Sequence, residues 1–124
     1  MAVPILKHGP YLIASIQASL SDSEVLQLRD DLLAQVGHFR SRGIIVDVTA
    51  LDVMDSFASR SLSGIAEMAR LRGANTAIVG IAPEVAFAMV QLGLDLQGVH
   101  TALDLEEGLA LLDRLTGDPG ERGR

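Results

Sequence analysis

The chain has 124 residues, enough for one domain with its own core and no covalent staples. It has no cysteine, which excludes disulfides, thiolate metal sites and a cysteine nucleophile. Its net charge is -6, with a single lysine and nine scattered arginines, a poor match to a phosphate backbone or an anionic membrane.

Only Tyr11, Phe39, Phe57 and Phe87 are aromatic, so a stacking platform for bases is also missing. The start lacks the basic and long apolar regions of a signal peptide, and no apolar run approaches the ~20 residues of a membrane helix. A cytoplasmic protein is expected.

In chain order, Val3 to Lys7 predicts a short strand, His8-Gly9-Pro10 a turn, and Tyr11 to Gln17 a second strand in a hairpin. Ser21 and Glu24 have capping-box spacing, and Leu20 and Val25 are placed to staple the same helix start. Val25, Leu28, Leu32, Val36 and Phe39 then recur at helical spacing as one buried stripe. Arg40 and Arg42 suit the negative helix end, and Gly43 is expected to stop the helix.

Gly43 to Val48 is nearly all apolar, as in a central strand covered on both faces. An acidic loop, Thr49 to Asp55, leads to a helix from about Phe57 to Arg72, with Ala58, Leu62, Ile65 and Ala69 inward and Gly73 as its stop. Asn75 to Ile81 predicts a strand. Pro83 opens a helix that Gly93 closes. Val99 to Thr101 predicts an edge strand. Asp104 and Glu107 repeat the capping-box spacing before a last helix with Leu105, Leu109 and Leu112 inward. The expected fold class is α/β: a mostly parallel central sheet with an N-terminal hairpin and four helices. Residues 1–116 form one expected domain, and 117–124 a flexible tail.

Catalytic signatures are absent. His8, His38 and His100 are not paired with an acid at a recognisable spacing. There is no G-x-S-x-G elbow, Gly-rich phosphate loop or H-x-x-x-H pair. Neither enzyme activity, metal nor cofactor is expected. Asp47, Asp52 and Asp55 resemble receiver carboxylates, but the acidic pair after the first strand and the late lysine are missing.

Ser56 stands out because ligands of open α/β sheets gather beyond the carboxyl ends of strands. Two readings are open. Ser56 is an N-cap, contributing about 1 kcal/mol, or it is a phosphoacceptor at an accessible helix start. A phosphate there would gain from the helix dipole and lose to Asp55 and Asp52. The fold would then change little and a partner surface much.

Leu51-Asp52-Val53-Met54-Asp55-Ser56-Phe57 resembles the Asp-Ser loop of STAS domains, the anti-sigma factor antagonist family. Pro4 to Lys7, Leu12 to Gln17, Asp47-Val48-Thr49, Asp55-Ser56-Phe57 and Thr101 to Glu106 together resemble its RsbS-type branch, found in the bacterial stressosome. The likeness runs from about Pro4 to Leu112. It implies a non-enzymatic scaffold that assembles with sensor-bearing STAS paralogues of the RsbR type, holds a serine/threonine kinase of the RsbT type, and releases it on phosphorylation. A cognate phosphatase resets the system. The resemblance puts the phosphorylated serine at Ser56, with Asp55 as its matching neighbour, and the loop and helix start around them make Asp55, Phe57 and Ser59 candidate kinase contacts. Ser59, Ser61 and Ser63 are further candidate acceptors. The alternatives are a free-standing antagonist bound directly to an anti-sigma kinase and a nucleotide-binding α/β protein, the latter without a phosphate loop to support it.

Overall fold

A computed structural model describes residues 3–117. The order is β1 (Ile5–His8), β2 (Tyr11–Ser15), α1 (Asp22–Phe39), β3 (Gly43–Asp47), α2 (Ser56–Leu71), β4 (Asn75–Val79), α3 (Pro83–Gln91), β5 (His100–Ala102) and α4 (Leu105–Thr116). The strands form one sheet in sequence order. β1 runs antiparallel to β2, with Leu6 opposite Ile13. The remaining pairs are parallel, with Leu12 opposite Ile44, Ile44 opposite Thr76, and Ala77 opposite His100. The part of the expected tail from residue 118 onward lies outside the described residues.

Successive crossovers of one hand keep their helices on one side of the sheet. Leu12, Ala14, Ile44, Val46 and Ile78 pack there with α1, α2 and α3. The alternate residues Tyr11, Ile13, Ile45, Ala77 and Val79 face the other way and pack with Leu112 of α4. β3 therefore lies between two apolar layers, which is why it carries no alternation. The Tyr11 hydroxyl also donates to the Asp113 carboxylate, tying α4 to β2.

The capping box at α1 is complete. Ser21 Oγ accepts from Glu24 N at 3.2 Å, and Glu24 Oε1 accepts from Ser21 N at 2.8 Å. The Ser21 N–H holds the exposed Glu24 carboxyl down at about 2, from an ordinary 4.5. Leu20 and Val25, the expected staple pair, line the same apolar pocket. At α4 the second half of the expected box is shifted. Asp104 Oδ1 accepts from Glu107 N at 3.0 Å, but Glu107 Oε1 accepts from Leu103 N at 3.3 Å.

Two expectations are corrected near residue 40. Gly43 does not stop α1; Arg40 does, in a left-handed conformation (φ 53°, ψ 44°), and Gly43 opens β3. A Cβ on Gly43 would lie 2.9 Å from Leu112 Cδ1 and 3.0 Å from Tyr11 Cδ1, so a helix across the sheet sets the need for glycine there. Phe39 is not in the buried stripe. It is 39% exposed and meets the His38 ring edge-on, with Lys7 Nζ 5.8 Å from its centroid. Val25, Leu28, Leu32 and Val36 are buried.

Candidate functional site

The site is built where β3 leaves the sheet. Asp47 closes the strand, and its Oδ1 accepts from the Thr49 backbone N–H at 3.0 Å and from the Thr49 hydroxyl at 2.6 Å. This local ring turns the chain out of the sheet without spending a core residue. Val48 N donates to Val79 O at 3.0 Å, which fixes the turn to β4. Opposite it, Gly80 has φ +82°, and a Cβ there would sit 2.1 Å from Thr49 Oγ1. Only glycine fits both the backbone and the space.

Leu51 and Met54 then anchor the loop, 8% and 5% exposed, while Asp52 and Val53 between them face outward. Asp55 follows in extended conformation and caps α2, its Oδ1 accepting from Ala58 N at 2.8 Å. The cap reading of Ser56 is thereby corrected. Ser56 is the first residue inside the helix, one position past the cap. Both residue types cap helices, and the carboxylate takes the role here.

Ser56 is half-buried, its hydroxyl has no hydrogen-bond partner among the described residues, and Phe57 beside it is also half-buried. The first-turn N–H groups of Ser56 and Phe57 have no acceptor within the helix. An anion on the Ser56 oxygen would therefore meet two donors and the dipole on one side and the Asp55 carboxylate on the other. Beside the loop lies an apolar pocket of about 100 Å³, between Ile16, Leu20 and Val25 on one wall and Val53, Met54 and Ala58 on the other.

Of the residues expected to contact a kinase, Asp55 and Phe57 are at this surface and Ser59 is not. Ser59 is 2% exposed, and its hydroxyl is buried with no partner, as is that of Ser63. One turn separates Ser59 from Ser56, but α2 is covered on that side. Ser59 is corrected as a contact and, in this conformation, as an acceptor. Ser61 is half-exposed. His8, His38 and His100 lie on β1, the end of α1 and β5. Among the described residues, no three His, Asp or Glu side chains gather as a metal-binding group. No described helix is long and apolar enough to cross a membrane.

The sequence model described as STAS domain matches residues 2–108. The chain belongs to the STAS domain family. A serine-to-glutamate variant of RsbS from Moorella thermoacetica is similar in structure, with TM-score 0.78 and 38% identity over 93% of this chain and 97% of that one. A chain from a structure of the molecular architecture of the stressosome, a signal integration and transduction hub, is 36% identical with TM-score 0.73, covering 91% and 98%. RsbT co-antagonist protein RsbRA from Bacillus subtilis (strain 168) is 29% identical over 107 residues, 86% of this chain. The chain spans 38% of that relative's length. The STAS domain here is thus similar to RsbS, to the RsbT co-antagonist RsbRA, and in fold to an anti-sigma factor antagonist.

Proposed function

We propose that this STAS domain is a non-enzymatic, phosphorylation-controlled scaffold of a cytoplasmic stressosome. It assembles with sensor-bearing RsbR-type paralogues and holds an RsbT-type serine/threonine kinase. Phosphorylation of Ser56 releases the kinase to its output, and a cognate phosphatase restores the first state. The observation that carries this reading is the Ser56 hydroxyl, half-buried and without a hydrogen-bond partner among the described residues, at the open first turn of α2.

The physical logic is a change of surface with little change of fold. A phosphate adds roughly -1.5 to -2 charges. It meets the two open N–H groups and the Asp55 carboxylate, terms of opposite sign and similar size. A kinase face matched to Asp55, the neutral hydroxyl and Phe57 then faces a bulky dianion. The pocket beside Val53 and Met54 offers room for an apolar anchor of that kinase. The exposed Phe87 and Val90 on α3 offer apolar surface for assembly with a STAS paralogue.

Size-exclusion chromatography and pull-down with the RsbR-type and RsbT-type partners test this. The expected result is a large complex that retains the kinase until ATP is added, and retains it throughout when Ser56→Ala is used. A small complex with a kinase that also holds a sigma factor would replace it with the free-standing antagonist reading.

A further inference from the structure

The opposite end of β3 carries a second cluster that the proposed switch does not use. Val36, Gly37, Arg40, Ser41, Arg42, Arg72 and Gly73 line a depression of about 430 Å³ with three guanidinium groups and no carboxylate. We infer that this depression receives the acidic β3–α2 loop of a second copy of this chain, in a head-to-tail contact.

Two local choices are unexplained by the fold alone. Arg40 is the sole non-glycine residue with positive φ among the described residues, at a position where glycine is the usual occupant. Gly37 lies in the last turns of α1, where alanine would favour the helix. A Cβ on Gly37 would sit 2.7 Å from Arg72 Nη2, and Arg72 Nη1 donates to Leu33 O at 3.3 Å. One departure places a guanidinium and the other makes room for one. The negative ends of α1 and α2 account for cations nearby. They give no reason for an arginine in left-handed backbone, and such strain gathers where a site needs it.

The charge distribution names the occupant. Six of the eight described lysines and arginines (Lys7, Arg40, Arg42, Arg70, Arg72, Arg114) belong to the end where β3 begins. The opposite end carries Asp47, Asp52, Asp55, Glu84, Asp104 and Glu106. Asp52 and Val53 form the exposed tip of the loop, backed by buried Leu51 and Met54. The chain therefore presents a concave basic end and an acidic loop at the other, which complement each other between copies. Such a contact is heterologous and builds rings or open chains. A phosphate on Ser56 makes the loop a stronger ligand, since arginine forks bind phosphate through paired hydrogen bonds. That strengthening rests on the Ser56 reading above; the contact through Asp52 does not.

Sedimentation velocity of the full chain, with and without phosphoserine at position 56, tests the contact. At about 50 mM salt the wild type is expected to self-associate and to dissociate as salt rises. Arg40→Gly, Arg42→Glu and Asp52→Lys are each expected to weaken association by about tenfold, and phosphoserine to strengthen it by about tenfold. Arg40→Gly suits the left-handed backbone, so its loss of association cannot be a loss of fold. Mixing Arg42→Glu with Asp52→Lys restores complementary pairs and is expected to restore association. A monomeric wild type at low salt in both phosphorylation states would overturn the inference, as would association indifferent to Arg40→Gly and Arg42→Glu. Kinase labelling is read separately: its loss with association intact removes the switch reading and keeps this contact.

Discussion

The two ends of β3 each carry a serine, and their surroundings differ in every respect. Ser41 enters the strand between Arg40 and Arg42, is 4% exposed, and gives its N–H to Val36 O at 3.1 Å. Ser56 follows the strand after an acidic loop, is half-buried, and lies in the first turn of a helix. Geometry rather than residue type decides which is available. A serine between a helix end and a strand start is enclosed by both elements. A serine just inside a helix start projects where the backbone donors still need partners. On the proposed readings, one end of β3 offers a hydroxyl for modification and the other a basic depression for an acidic loop.

The sharpest break of this comparison is Gly80→Ala. The new Cβ would collide with Thr49 and force alanine into a left-handed backbone. It should destabilise the domain by about 2–4 kcal/mol in urea unfolding and displace the loop before Ser56. Next in size is Asp55→Ala, which removes the α2 cap. It should lower stability by about 1 kcal/mol and increase amide exchange in the first turn of α2, leaving the Arg40 end unchanged.

Arg40→Gly acts at the other end with the opposite sign. Relief of the left-handed arginine should raise stability by about 0.5–1 kcal/mol in the same urea measurement. The smallest effect is on α1. The Glu24 carboxyl titrates at about 2 when folded and 4.5 by default. Its contribution is full above 4.5 and falls as the pH drops toward 2. Amide exchange at the start of α1 should therefore rise in that window, and Glu24→Gln should remove the dependence.

Local signals carried much of this fold. The Ser21–Glu24 box, the Val25–Leu28–Leu32–Val36 stripe and the unbroken apolar run of β3 each depend on neighbours within a turn or a strand. The errors came from contacts made far along the chain. Gly43 is glycine because Leu112 crosses above it, not because a helix ends there. Ser59 has the same spacing from Ser56 as an exposed helical residue would, and only packing around α2 buries it. Asp55 and Ser56 are adjacent capping types, so one position of helix phase separated the correct cap from the wrong one. The arginine depression joins α1, the entry to β3 and the end of α2, and no local pattern announces it.

The central claim is most directly tested by incubating the chain with an RsbT-type kinase and ATP and mapping phosphate by mass spectrometry. The account predicts modification at Ser56, none at Ser41 or Ser59, and no labelling of Ser56→Ala. Undiminished labelling of that variant would contradict it.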